Sequence, residues 1–398
     1  MRVAVAGGGL AGLATAHALL SLGLALDRDV RVRVWDPAGA GGAGASRAAA
    51  GLLHPLTPRG TVAFRGPEGM AATRALLASA SAALGRPCYA DVPVARLALG
   101  DDLKRDAKLK TLGGSGEGRE WWPADRLHAA GGAGAGAGAE SCEGALVVPG
   151  AAVDMAAYLE GLSLACARDF AQSSYALERA PLPSQAALCS DGYDAVVYCT
   201  GASAIGLPGF PFTLTPSPGV NVVFGPAEGA GPLPSSLALI AGKYVVPVGG
   251  GAALAGALQV PRDADGRAFA PLLDHLGAGC PARECPVAVD ARAAADALLD
   301  ATSLGRIYPP LAGAVPVEAR AGVRASSPPG PGGRLLPTAG RLLGGGDDSS
   351  PVARWALVGL GARGLLYHAL AAAHLAEALL ADDSDLIPPE FAHALGQE

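Results

Sequence analysis

Apolar residues fall along this chain in short blocks separated by glycine and proline, and the blocks predict its elements. Met1 to Ala6 reads as a β-branched strand, Leu10 to Leu22 as an Ala/Leu-rich helix, and Val30 to Trp35 as a second strand ending in Asp36. A helix is predicted near Gly69 to Leu84 and a strand over Tyr89 to Leu99. From Gly144 to Leu164 the pattern is strand, turn, helix, and Tyr193 to Ala202 carries a buried parallel strand ending in Thr200 and Gly201. Leu214 to Val260 has an antiparallel character, with apolar runs at Val220 to Phe224, Leu237 to Ile240 and Tyr244 to Val248 broken by glycine and proline. A helix at Ala291 to Leu299, the segment Glu318 to Ala325 that Arg306 to Pro310 leads into, and the run Trp355 to Gly364 leading into a helix over Leu365 to Ala381 complete the pattern.

Parallel α/β pieces at the start, middle and end, with antiparallel pieces between them, imply an α/β fold. Its Rossmann-like nucleotide domain is discontinuous and carries an inserted antiparallel-sheet (α+β) substrate domain. The expected boundaries assign residues 1–84, 144–206 and 324–385 to the nucleotide domain. Residues 85–143 and 207–323 fall to the substrate domain and 386–398 to a C-terminal tail. Gly131 to Ala139, alternating Gly and Ala, reads as a flexible surface insertion within the first substrate segment, and Gly344 to Ser350 as a disordered loop. The pair Trp121 and Trp122 is expected to pack in a core.

Composition narrows the class. A chain of 398 residues, half of them apolar, holds two or three domain-sized units. With 57 glycines and 32 prolines, some loops are expected to be long. The net charge of −6, without any block of Lys and Arg, gives a nucleic-acid partner no support. Seven scattered cysteines without C-x-x-C spacing argue against a zinc site or a disulfide framework, and no metal site is expected. The longest apolar stretch, Leu365 to Ala381, contains His368, His374 and Glu377 and so reads as a buried helix rather than a membrane span. A soluble protein of the cytoplasm or an organelle, without a targeting segment, is expected.

The chemistry begins at Gly7, Gly9 and Gly12, a G-x-G-x-x-G between the first strand and the first helix. Gly7 permits the turn, Gly9 lets backbone approach a pyrophosphate, and Gly12 allows close helix–strand packing. The amides of Leu10 and Ala11 stand at the helix start, and Asp36 lies where a carboxylate reaches a ribose. This order binds a dinucleotide, and NAD satisfies it as well as FAD does. Further on, Ser46 can donate to a phosphate, and Arg47 either adds charge there or is an ordinary surface arginine. The small Ala48 to Gly51 stretch, with Ala50, Gly51 and Leu52, lets backbone approach a ligand. Thr200 and Gly201 end a strand at the carboxyl edge where cofactors sit. Gly359, Gly361, Ala362, Arg363 and Gly364 precede the last long helix at Leu365.

The Ala45 to Leu56 stretch, Asp194 to Ala202 and Gly359 to Gly364 together resemble the FAD-dependent amine and amino-acid oxidase family, the D-amino acid oxidase superfamily. Ser46 to Leu52 is similar to glycine oxidase. The frame through His54 to Leu56 and Ala356 to Leu365 is similar to the FAD domain of the bifunctional enzyme that completes 5-methylaminomethyl-2-thiouridine in tRNA. The resemblance implies FAD rather than NAD, and it sets the amide-rich start of the last helix against the flavin pyrimidine, where it stabilises negative charge. It also implies that Arg324 holds a substrate carboxylate. Tyr244, and Tyr308 with it, either line the substrate face or pack. His54 and His368 lie near the flavin, as a base, an attachment point or structural residues. No cysteine stands at Ala325, Ser326 or Ser327, so FAD is expected to be non-covalent. The expected partners are a small amine or amino-acid substrate and oxygen or another electron acceptor. The resulting reading is an enzyme that oxidises a C–N bond by hydride transfer to flavin, with Arg324 and Tyr244 as its catalytic residues. Oxidation of a carboxymethylaminomethyl wobble uridine in tRNA, and flavin binding without turnover, are the alternatives.

Overall fold

The structure, a computed structural model, describes residues 1–41, 44–100, 102–114, 116, 118–131, 142–170, 174–205, 214–233, 236–259, 291–300, 304–342 and 351–395. Among them the strands run in chain order as β1 (Arg2–Ala6), β2 (Arg31–Trp35), β3 (Leu52–Leu53), β4 (Tyr89–Ala98), β5 (Glu120–Pro123), β6 (Gly144–Val153), β7 (Tyr175–Glu178) and β8 (Ala195–Tyr198). There follow β9 (Thr215–Gly225), β10 (Ala238–Ala241), β11 (Lys243–Val248), β12 (Ala252–Gln259), β13 (Val315–Ser326), β14 (Thr338–Arg341) and β15 (Ala353–Val358).

One sheet has six strands in the order β14-β15-β8-β1-β2-β7. All its pairings are parallel except β14 with β15 at the edge. Strand β1 is central and flanked on both faces, which is why Val3, Ala4 and Val5 are wholly buried and no polar alternation survives in it. On one face lie the helices Leu10–Ala25, Gly66–Leu84, Met155–Arg168 and Gly364–Ala381, packed into a core with Val3, Val5, Val32, Val34 and Leu357. The other face buries Ala4, Trp35 and Val196 beneath Leu188 of the short helix Gln185–Ser190.

The second sheet has nine strands, ordered β13-β9-β12-β11-β10-β4-β6-β3, with β5 also pairing β6. The antiparallel expectation for Leu214 to Val260 holds for β9, β11 and β12, and β13 pairs antiparallel with β9, but β4 and β10 pair in parallel, so the sheet is mixed. Strand β6 pairs with β4 along its whole length, and β3 pairs with its far side. Residues 144–153 therefore pair in this sheet rather than with the nucleotide strands. The chain passes to the other layer at Asp154, whose carboxylate caps the next helix by accepting from Ala157 N at 3.1 Å. Strand β13 likewise stays in the nine-stranded sheet through Ser326, beyond the expected boundary at 323. A continuous apolar run suits either sheet, and only the pairing partner decides between them.

Trp121 and Trp122 pack at the edges of two cores, Trp122 with the Arg126 guanidinium over its ring. The five described cysteines are free thiols, and Cys88, Cys166 and Cys199 are buried. Cys280, Cys285, the Gly/Ala run from 132 and the Gly344 to Ser350 run lie outside the described residues. By length and composition, one helical stretch among the described residues, Gly361–Ala381, could cross a membrane. It is 78% buried inside this molecule, between the helices Leu10–Ala25 and Gly66–Leu84.

His368 lies in that helix with no exposed surface. Its Nδ1 donates to Gly364 O at 3.2 Å, and its Nε2 accepts from the Tyr158 hydroxyl at 2.7 Å. Burial lowers its pKa from the ordinary 6.5 to about 4. Between these values the unfolded chain binds more protons than the folded one. The stability that the neutral ring contributes is therefore complete above about pH 6.5 and is lost as pH falls towards 4, up to about 3 kcal/mol. Urea unfolding between pH 7 and 4.5 is expected to show this slope in the wild type and a flatter one in His368→Gln.

Candidate active site

The nucleotide end of the site is built from backbone. Gly7 N donates to Trp35 O at 2.8 Å, closing β1 onto β2, and Gly9 caps the helix Leu10–Ala25. A Cβ on Gly12 would stand 1.8 Å from Gly7 O, so the helix start can lie this close to the strand only with glycine there. The Asp36 carboxylate accepts from Gly8 N at 2.7 Å and from Ala38 N at 2.9 Å, which fixes it at the end of β2 with lone pairs to spare. Ser46, in the short helix Ala45–Ala48, accepts from Leu10 N at 3.1 Å. Its own proton is thereby left to donate outward, beside the unpaired amides of the first helical turn. Arg47 is exposed, and its side chain makes no hydrogen bond or ion pair among the described residues.

Beyond this lies a seam where three segments converge. Gly51 has a positive φ and sits against Val153, whose carbonyl would be 1.9 Å from a Cβ. Ala50 and Leu52 flank it, half-buried. At the end of β8 the Thr200 hydroxyl is buried without a hydrogen-bond partner, and Gly201 begins a 3-10 turn with open space beside it. From the other side the turn Gly361–Arg363 leads into the helix Gly364–Ala381. Ala362 is exposed, Gly364 and Leu365 are buried, and Arg363 Nη2 donates to Leu335 O at 3.4 Å.

The nine-stranded sheet supplies the third wall. On β13 and β9, Ala319, Ala321, Val220 and Val222 turn into one core. Strand alternation sends Gly322, Arg324 and Ser326, with Ser217 and Asn221, to the opposite face. That face meets the other segments: Gly322 lies against Ala45 and Ala48, and Ser326 against Gly361. Arg324 stands between these two contacts, half-buried, with Nη2 3.4 Å from Ser217 Oγ and no carboxylate partner among the described residues. Tyr244 faces the same side. Burial raises its pKa, and the Arg324 cation acts in the opposite direction. Asn221 joins the two layers by donating from Nδ2 to Ala48 O at 2.7 Å and accepting the Tyr244 hydroxyl on Oδ1 at 2.7 Å.

The structure bears on three residues whose roles the sequence leaves open. Tyr308 is buried with Leu304 and Leu311 in the core on the far face of the sheet, so it packs rather than lines the site. His368 has both ring nitrogens engaged within the protein and is structural. His54 accepts from Leu56 N on Nδ1 at 3.1 Å, and burial together with the Arg96 and Arg363 cations lowers its pKa to about 3. A ring so hard to protonate is a poor general base at neutral pH. Asn221 and Arg96 escaped the sequence reading, although a lone amide inside the apolar run Val220 to Phe224 is a visible signal for the first.

The model of the FAD dependent oxidoreductase family, DAO, matches residues 2–378. The chain belongs to this family. Glycine oxidase from Geobacillus kaustophilus superposes with a TM-score of 0.68 at 20% identity, covering 100% of this chain and 99% of that one. Iminodiacetate oxidase from Chelativorans sp. BNC1 gives 0.64 at 20% identity over 98% of both chains. L-proline dehydrogenase from P. horikoshii gives 0.64 at 13% identity over 98% of this chain and 96% of that one. At these identities the likeness shows the fold. A search of curated proteins finds no match.

As a DAO-family oxidoreductase the protein is an FAD enzyme, and its residues fit the cofactor. Asp36, held by Gly8 N and Ala38 N, would meet a ribose. Ser46 and the amides after Gly9 would meet the phosphates, with exposed Arg47 able to add charge. The buried, unpartnered Thr200 hydroxyl offers a donor at the carboxyl edge of the sheet, and Gly51 and Gly361 keep the seam bare of side chains. In Ser46→Ala the loss of a hydrogen bond to a charged group is expected to raise the FAD dissociation constant about tenfold with secondary structure unchanged. Gly12→Val is expected to abolish FAD retention. Fluorescence titration of the apoprotein with FAD measures both.

Proposed function

We propose that this FAD-dependent oxidoreductase oxidises the carbon–nitrogen bond of an amine or N-substituted amino acid. The observation that carries this reading is Arg324, a half-buried guanidinium without a carboxylate partner among the described residues, on the sheet face that looks onto the Ala45–Ala48 helix and the Gly361–Arg363 turn. Its planar fork suits bidentate capture of a substrate carboxylate. A carboxylate held there sets the adjacent α-carbon against the seam where Gly51, Thr200 and Gly361 would receive the flavin.

Bound FAD supplies the hydride acceptor. The protein's part is to hold the substrate and exclude alternatives. Hydride loss from the α-carbon of a neutral amine leaves an iminium cation that water hydrolyses, and this route requires no protein base. The surroundings agree: His54 is held neutral, His368 is locked in the core, and among the described residues no carboxylate pairs with Arg324. Dioxygen or another acceptor then takes the electrons. FAD binding is non-covalent in this reading, since Ala325, Ser326 and Ser327 follow Arg324 where an attaching cysteine would stand.

Anaerobic titration of the holoprotein with a panel of amino acids and secondary amines tests the reading. At least one carboxylate-bearing amine is expected to bleach the flavin. Arg324→Ala is expected to retain FAD and raise KM for that substrate at least about a hundredfold, because a charge-assisted fork is lost. Absence of bleaching across the panel overturns the proposal.

A further inference from the structure

Arg96 is a cation that its surroundings leave unmatched. On β4, strand alternation sends Ala95 and Leu97 into the core on the far face of the nine-stranded sheet. Arg96 falls to the other face, with Val92, Val94, Leu146 and Tyr244. It pairs with Ile240 on β10, which in turn pairs with Tyr244 on β11. Arg96 therefore stands two strands from Tyr244, about 10 Å between backbones, on the side away from Arg324. Its Nη1 donates to Pro58 O at 3.1 Å, while its Nε is buried without a partner among the described residues. The charge that acts on it is another cation, Arg105. The acid beside Arg105, Asp106, is already engaged, by Arg105 Nη2 at 3.1 Å and by Gly100 N at 2.8 Å.

His54 adds a donor to this cation. Leu56 N can only donate, so Nδ1, 3.1 Å away, accepts, and the neutral ring carries its proton on Nε2. That N–H has no partner among the described residues. The charges that act on the ring are those of Arg96 and Arg363. Arg363 belongs to the turn that carries Gly361, and His54 follows Gly51 and Leu52 on the short strand β3 side. The group thus adjoins the seam through two of its segments. Two guanidiniums and one N–H offer donors only, and a half-buried donor left without an acceptor is costly. An anion supplies what this group lacks.

We propose that His54 and Arg96, with Arg363 beside them, form an anion subsite next to the seam, and that the substrate is an amine with a second carboxylate besides the one that Arg324 holds. Built on the amine-oxidation reading above, this subsite selects by charge. A substrate with one carboxylate satisfies Arg324 and leaves the donors of Arg96 and His54 unmet. A dicarboxylate satisfies both ends, and the separation of the two cations sets its length. The neutral ring of His54 suits the role, because it keeps Nδ1 for Leu56 N and turns Nε2–H to the anion.

Straight-chain dicarboxylates from malonate to adipate, each set against the monocarboxylate of equal carbon number, test this without turnover. Both series are titrated into the holoprotein, and binding is followed by perturbation of the flavin absorption spectrum. At least one dicarboxylate is expected to bind about tenfold more tightly than its monocarboxylate, the effect of one charge-assisted contact. Arg96→Met is expected to bring that ratio to about one, Arg96→Lys to keep part of it, and His54→Phe to lower it several-fold. The ratio is taken within each variant, so a general weakening of the site cancels. Should Arg96→Met fail to fold, the wild-type series and Arg96→Lys decide. A wild-type series in which no dicarboxylate exceeds its monocarboxylate, or a ratio that survives in Arg96→Met, overturns the subsite and leaves the function standing. Failure of both series to perturb the flavin at all overturns the carboxylate reading itself, and the subsite with it.

Discussion

Strand β13 crosses the short helix Ala45–Ala48 so closely that a Cβ at Gly322 would stand 2.9 Å from Ala48 Cβ and 3.0 Å from Ala45 Cα. This close approach fixes the relation between the two sheets at the site. It brings Arg324, two residues further along, over the seam, and Ser326, two further again, against Gly361. The same short helix gives Ser46 to the first helical turn and the Ala48 carbonyl to Asn221. A single turn of backbone thus supports the nucleotide end on one side and the substrate wall on the other. Widening the contact by one methyl group would move both.

The site combines rigid hydrogen bonding with little titratable chemistry. Asp36, Ser46 and Asn221 each accept from or donate to backbone amides or carbonyls, so their orientation does not depend on mobile partners. Burial, with the Arg96 and Arg363 cations adding to it, keeps His54 neutral. Such surroundings suit a reaction whose protein contribution is positioning and charge complementarity rather than proton transfer.

The nucleotide end was legible in the sequence because its requirements are local. Strand, Gly7, Gly9, Gly12, helix, strand and Asp36 follow one another within a single βαβ unit, and each residue type has a steric or electrostatic reason. Strand β13 and Arg324 were legible through the family resemblance, and the last helix through its length and apolar content. What the sequence concealed is non-local. The two-residue strand β3 is too short to carry a pattern, and β6 is apolar enough for either sheet. The direction of the Tyr308 side chain depends on which face of a sheet it meets. His54 looks like a candidate base until it is seen to be buried, with arginines from two distant segments around it. Asn221 was visible as an oddity, but its meaning rests on Ala48, 173 positions earlier.

The order β14-β15-β8-β1-β2-β7 also has a consequence in time. The ribose and phosphate groups of the site, from Gly7 to Gly51, emerge early from the ribosome, whereas β15 and the Gly361–Arg363 turn are synthesised some three hundred residues later. Strand β1 must wait for β8 before its second edge is covered, and β8 must wait for β15. Such long-range pairing forms slowly, and until it forms the nascent chain carries a half-built cleft with open strand edges. The first wall of the seam is therefore synthesised long before the turn that meets it from the other side.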